Sequence, residues 1–443
     1  MDKHARESLA RRIVEMSSAN HTEVLVSYDN AALTRFTHNA IHQNVAHADT
    51  TLSVRAIVDG RTGVARTNIL DDDSLRDVVA RAATIAQLAP QDPTHAALPK
   101  GEVIHAPEAA FNAGTAGATA RKRAELAQEL FEVAEGASLW SAGFMTTSQT
   151  GITVVNSEGA CASFDGTDAG VNVKMNGDDS TGYAEVYDNA IANIHAAALG
   201  RVAAEKALHS SKPKSVAPGE WTVILEPAAF GELLSYLLDH FSAQSFDEGS
   251  SFLSDGLERE YMGKNVSIWD DYQHPLAPGM PFDYEGQPTE RLALIEHGVA
   301  KRYVTDSYWA AKLQCDNTGH ALPAPNAWGP MPRSAVILGG SKSTQQLIAE
   351  TKRGLLVSRF WYVRPVDQRQ TIVTGMTRDG TFLIEDGQIV GGVRNMRFNQ
   401  SILEALRHCE LSSEQRRTGS YSYSNVVPTV KIEGFRFSSG TDF

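Results

Sequence analysis

The sequence predicts an α+β protein: an N-terminal α/β half of hairpins and helices, then a β-rich, barrel-like C-terminal half carrying one central helix. Three observations predict this. Up to residue 209, alternating apolar runs are interspersed with long amphipathic helical patterns. Residues 210–219 (SSKPKSVAPG) are small, polar and proline-containing, as a connection between domains is. Beyond residue 262, short strands and turns dominate. The expected organisation is therefore residues 1–209, a linker at 210–219, and residues 220–443.

In the first half, residues 5–17 read as a helix with Leu9, Ile13 and Met16 on one side. Residues 22–28 (TEVLVSY) read as a strand, followed by short extended runs at 32–36 and 41–45. Residues 50–58 alternate, Asp59-Gly60 supplies a hairpin turn, and 62–67 return as the paired strand. A helix follows at 74–89, with capping oxygens at Asp71 to Ser74 and Leu75, Val78, Val79, Ala82, Ile85 and Leu88 at helical spacing. Pro90 and Pro93 stop it. Residues 90–112 read as a surface connection, 115–136 as a helix, and 139–147, 150–156 and 160–165 as a strand meander. Extended runs at 171–175 and 181–186 precede a helix at 190–208.

In the second half, a strand at 221–225 leads into the central helix. Pro227 suits its first turn, where the missing N–H costs nothing. Leu233, Leu234, Leu237, Leu238 and Phe241 mark one apolar face, and His240 falls on it. Strands are expected at 291–295, 301–304, 335–338, 355–363, 370–378, 380–385 and 388–393, with hairpin turns at Asp379-Gly380 and Asp386-Gly387. Short helices at 347–351 and 401–410 interrupt them, and an alternating run at 427–437 closes the chain.

Composition narrows the function. With 40 basic and 53 acidic side chains, the net charge of −13 argues against a nucleic-acid surface. Arg121-Lys122-Arg123 reads as a solvated helix face. Cys161, Cys315 and Cys409 are too few and too far apart for a disulfide framework, which suits a reducing compartment. The first residues lack the apolar core of a signal peptide, and no apolar run approaches the roughly 18 residues of a membrane span. Cytoplasmic location and no membrane partner are expected.

Each candidate for chemistry has a plain structural reading beside it. His240, the helical histidine, has Ser235 and Tyr236 where a zinc peptidase helix would carry a second imidazole and a carboxylate; alone, it reads as a core histidine. His38, His42 and His47 lie in strands and turns that scatter their side chains. Asp270, Asp271, Asp283 and Glu285 surround a proline-rich loop and read as turns and salt bridges. Asn317-Thr318-Gly319-His320-Ala321 reads as a conformationally special loop. Residues 339–344 (GGSKST) break the phosphate-loop spacing and read as a turn and helix cap. In Arg359-Phe360-Trp361-Tyr362-Val363-Arg364, strand alternation places Phe360 and Tyr362 on one face and Arg359, Trp361 and Val363 on the other.

Taken in order, several segments resemble the TldD/PmbA family of peptidases, also called modulators of DNA gyrase. They include DGRTGVARTN, NSEG, APGEWTVILEPAAFGELLSYL, SSFLSDGLERE, NTGHA, GLLVSRFWYVRPVD and TRDGTFLIEDGQIVGGVRN, collinear over nearly the whole chain. In TldD-type members the central helix carries His-Glu-x-x-x-His, and a C-terminal cysteine completes the zinc site. Here those helix positions fall on Ser235, Tyr236 and His240. Cys409 lies upstream of the expected cysteine, and 414–427 contain none. The chain thus resembles the PmbA, or TldE, side of the family. The resemblance implies no catalytic residue, metal or cofactor in this chain, with zinc in a TldD-type partner. It also implies a dimer, with that subunit or with itself, acting on extended peptide. His320, Arg359, Trp361 and Arg364 are the expected peptide contacts. An independent hydrolase with a rebuilt site and a peptide-binding homodimer remain as alternatives.

Overall fold

The computed structural model describes residues 1–94, 96–101, 104–419 and 424–441. His95, Glu102 and Val103 of the expected connection, and residues 420–423 of the stretch searched for a cysteine, lie outside them.

Six antiparallel strands form the first sheet: β1 (His21–Thr37), β2 (Ala40–Val58), β3 (Arg61–Thr67), β4 (Trp140–Asn156), β5 (Cys161–Asn176) and β6 (Thr181–Asp188), in the order β3-β2-β1-β4-β5-β6. The separate short runs expected from the sequence fuse into strands of 16 to 19 residues. Polar residues interrupt the alternation at Asp29 and Asn30, but backbone pairing runs straight through: Asp29 faces Asp49 on one side and Thr150 on the other. The ladder outweighs local side-chain preference.

Helices α1 (Lys3–Met16), α2 (Asp72–Leu88), α3 (Ala113–Ala116), α4 (Ala120–Gly136) and α5 (Ala196–His209) belong to this half. Asp71 caps α2 by accepting from the Ser74 amide. Ile85 and Leu88, expected in the core, point outward, and Ala86 is buried instead. The contact with β3 is too close for larger side chains: a Cβ on Gly63 would lie 2.2 Å from the Ala82 carbonyl oxygen. The helix expected at 115–136 is two, because Asn112 and Thr119 each cap a fresh start. The helix expected from 190 begins at Ala196, after a single 3₁₀ turn.

The helices cover one face of the sheet. Val24, Val26, Leu52 and Val54 pack with α1 and α2, while Met145, Val171 and Val173 pack with α4 and α5. The opposite face carries Leu25, Ile152, Val154 and Phe164, which pack against Met280 and Phe282 of the second half.

The second half comprises β7 (Gly219–Leu225), α6 (Pro227–Leu238), α7 (Ala243–Asp247), β8 (Ile268–Asp270), β9 (Leu292–Glu296), β10 (Val299–Ala300), α8 (Ser307–Leu313), β11 (Ala335–Ile337) and α9 (Thr344–Ala349). It continues with β12 (Arg353–Asp367), β13 (Ile372–Glu385), β14 (Gln388–Gly392), β15 (Met396–Ser401), α10 (Ile402–Arg407), β16 (Cys409–Thr418) and β17 (Asn425–Gly440). Strands β7, β12, β13, β15 and β17 pair in a ring that closes through β17 and β7, a five-stranded barrel. Strands β8 to β11 form a wing joined to β17 by one parallel pairing, Val336 with Val426. Leu233, Leu234, Leu237 and Phe241 bury the central helix in the barrel core.

Two expectations within the barrel are corrected. Asp379-Gly380 is not a hairpin turn, because β13 runs through it. Val357 pairs with Thr381 and Arg359 with Arg378, so Asp379 and Gly380 together face Ser358. Their φ angles of 52° and 135° are those of a β-bulge. Phe360 and Tyr362 do not share a face either. Tyr362 has φ 52° and sits at a register shift, so it is exposed, while Phe360 and Val363 are both buried. Asp386-Gly387 does turn the chain between β13 and β14. No helix among the described residues is long and apolar enough to cross a membrane.

Candidate functional site

The seam between the two halves opens into a cavity of about 450 Å³. Strand β6 forms one wall. Ala184 and Val186 point into the helical layer, so alternation turns Tyr183, Glu185 and Tyr187 toward the seam. The central helix forms another wall: Ala228, Gly231, Glu232 and Ser235 repeat at three- and four-residue spacing and face the space. Strand β12 contributes Arg359 and Trp361, and Asn425 of β17 borders the same space.

Neighbouring groups fix the orientation of these side chains. The bulge in β13 presents Asp379 to Arg359, whose Nη2 lies 3.0 Å from Oδ2. The guanidinium is held between the rings of Tyr183, 4.4 Å away, and Trp361, 4.9 Å away. Tyr183 donates to Glu185 at 2.5 Å. Burial pushes the Glu185 and Glu232 carboxyls up, with Arg359 offsetting part of the rise in each. A second cavity of about 480 Å³ shares Tyr183, Glu185 and Ala228 with the first. It is bordered by the Lys206–Glu226 ion pair, 2.6 Å, which ties α5 to the start of α6.

The residues at the zinc-motif positions are engaged elsewhere. Ser235 Oγ donates to the Gly231 carbonyl, 2.9 Å, and accepts from Asn425 Nδ2, 3.3 Å. Tyr236, itself not part of the cavity lining, donates at 2.6 Å to the carbonyl of Val363, which borders the cavity. His240 lies beyond the end of α6, 7% exposed, with its ring 5.7 Å from that of Phe252; burial lowers its pKa to about 4. Cys409 borders a different pocket, and burial raises its thiol to about 11. Two hydroxyls bonded to backbone carbonyls, a core imidazole and a distant protonated thiol do not fit Zn²⁺. Among the described residues, no three His, Cys, Asp or Glu side chains are arranged to hold a metal.

Of the expected peptide contacts, Arg359 and Trp361 line the cavity. Arg364 is exposed on the outer side, 5.8 Å from the Tyr362 ring. His320 lies elsewhere and offers no surface, being 0% exposed, with Nδ1 2.9 Å from Thr318 Oγ1 and Nε2 3.8 Å from Asp270. Gly319 explains the special loop: at φ 71° its backbone passes so close to Pro288 that a Cβ would lie 2.1 Å from that carbonyl oxygen. Residues 339–344 form a turn and helix cap, with Ser343 and Gln346 completing a capping box.

Tyr183, Glu185, Tyr187, Glu232 and Asn425 are among the cavity residues that sequence reasoning missed. For the first three a signal was present: Tyr-x-Glu-x-Tyr at strand spacing puts three polar or aromatic groups on one face of β6.

Residues 218–439 match the family model described as the PmbA/TldA metallopeptidase C-terminal domain, and residues 22–86 match its domain 1. The chain is 26% identical over 286 residues to "Metalloprotease PmbA" of Escherichia coli O157:H7, covering 62% of this chain and 60% of that protein. It is 26% identical over 412 residues to a "Metalloprotease PmbA homolog" of Haemophilus influenzae, covering 87% and 86%. The crystal structure of TldE from Thermococcus kodakarensis superposes with a TM-score of 0.88 at 23% identity, over 98% of this chain and all of that one, a likeness of fold.

Proposed function

Because the chain belongs to the PmbA/TldD metallopeptidase family, we propose that it is a non-catalytic, PmbA/TldE-like subunit that presents extended peptides to a zinc-bearing relative. One observation carries this reading. At the motif positions, the Ser235 and Tyr236 hydroxyls donate to the Gly231 and Val363 carbonyls, so neither offers the imidazole or carboxylate that zinc hydrolysis needs. No histidine in the sequence is followed by glutamate. The cavity at the same helix supports binding without chemistry: it is open, flanked by strands, and lined by aromatic and polar side chains.

Native-extract purification followed by mass measurement tests the reading. The expected result is a complex with a His-Glu-x-x-x-His partner, peptide cleavage only when that partner is present, and no stoichiometric zinc in the chain alone. Cleavage by the isolated chain, lost on His240→Ala, would support a rebuilt hydrolase instead. A homodimer that recruits no such partner would support a peptide-binding scaffold.

A further inference from the structure

We propose that the cavity between β6, α6 and β12 is a receptor for one organic cation: the ammonium or guanidinium of a basic side chain on an extended peptide. The peptide as carrier rests on the reading above; the cation rests on the cavity itself.

Four of the groups that line the space are acceptors: Glu185, Glu232, Ser235 and Asn425. Glu185 and Glu232 line it, and among the described residues no basic nitrogen lies within 4.0 Å of either carboxylate. Arg359, the cation in the wall, is turned to Asp379, which Lys174 and Arg378 also approach, at 3.7 and 3.8 Å. Tyr183 spends its proton on Glu185, and Ser235 spends its own on Gly231, so the serine oxygen presents lone pairs. Asn425 is 4% exposed, yet its Oδ1 has no hydrogen-bond partner although its Nδ2 is bonded to Ser235. Buried acceptors ordinarily find donors. Two carboxylates, a hydroxyl oxygen and an amide oxygen would repel an anion and leave a neutral apolar group facing desolvated charge. A Lys ammonium, with three donors and no acceptor, suits all four and would give the unbonded Asn425 Oδ1 its donor. The wall is already built for such a group, because Tyr183 and Trp361 hold the flat cation of Arg359 between them.

The test uses the full chain and fluorescein-labelled extended peptides that differ at one residue: lysine, arginine, norleucine or glutamate. Fluorescence polarisation should show the lysine and arginine peptides binding about tenfold or more tightly than the norleucine peptide, the scale of a charge-assisted hydrogen bond in a partly desolvated site. Added salt should erode that preference. Glu232→Gln and Glu185→Gln should each remove most of that preference of the lysine and arginine peptides over the norleucine peptide. Equal affinity for lysine and norleucine peptides in the unsubstituted protein would overturn the proposal and leave peptide binding standing. Nα-acetyl-lysine amide and 1,4-diaminobutane serve as small probes, read by tryptophan fluorescence. Glu232-dependent binding of either, with no peptide bound, would support the receptor and overturn the peptide reading. Binding of neither peptide nor amine would overturn both.

Discussion

Two charge-rich regions sit on the seam, and they are built in opposite ways. Around Arg55 the groups answer one another. Its guanidinium reaches Glu23 at 2.6 Å and Glu285 at 3.0 Å, and Glu285 also accepts from the Ser307 amide. Asp283 accepts from the amides of Glu285, Gln287 and Ala321, and Asp270 from those of Arg333 and Ser334. These bonds join β1 and β2 to the loops of the second half, although Arg55 Nε is left without a hydrogen bond. Around Glu232 the groups surround open space, and among the described residues Glu232 has no ion-pair partner and Asn425 Oδ1 no hydrogen bond. Charge density alone does not mark a site; the balance of donors and acceptors separates a clamp from a receptor.

The largest effect should come from breaking the clamp. Arg55→Ala leaves Glu23 and Glu285 buried without their cation and should cost about 3–5 kcal/mol, read by urea denaturation. If the loss were no greater than for a surface arginine, the clamp would not hold the seam. The clamp should also respond to pH. Burial pushes the Glu23 carboxyl from 4.5 up to about 7, with Arg55 offsetting part of the rise. Between those values the folded chain holds a proton that the unfolded chain has released. Stability should therefore fall as pH rises from 4.5 to about 7, and Glu23→Gln should flatten that part of the denaturation-midpoint profile.

A smaller loss, about 1–3 kcal/mol, is expected for Asp283→Asn, because one of its two acceptor atoms becomes a donor facing the Ala321 amide. Thermal unfolding measures it. At the other region, Tyr236→Phe removes one bond to a backbone carbonyl and should cost about 1 kcal/mol with no change in peptide affinity, which polarisation titration checks. A large loss of peptide binding would move Tyr236 from the scaffold into the receptor.

The sequence showed the two regions unequally. Leucine spacing revealed α6, and the Asp59-Gly60 and Asp386-Gly387 turns set two hairpins, because those signals are local. Asp379-Gly380 carries the same turn chemistry, but it sits in a bulge: positive φ serves either purpose, and only the pairing partner decides. Tyr362 is a further case, since alternation assumes a regular strand and its φ of 52° breaks the period. The acidic loop read correctly as turns and salt bridges, although its partner Arg55 comes from 230 residues away. The cavity was half visible. Ser235, Arg359 and Trp361 were singled out, but the wall from β6 belongs to the other half of the chain, and nothing local says which strand face meets a distant helix.

The closing of the barrel bears on the order in which the protein is made. Strand β7 is the first barrel strand to emerge, and its two neighbours, β12 and β17, are the second and the last of the five barrel strands in chain order, with β17 ending at Gly440. The first sheet is complete once Asp188 has been synthesised, whereas β7 must wait for Leu355 of β12 to pair one edge and for Val430 of β17 to pair the other. During translation the nascent protein therefore carries a finished front and an open rear. A chain cut short before β17 would leave that ring of strands unsealed, exposing an edge that invites aggregation.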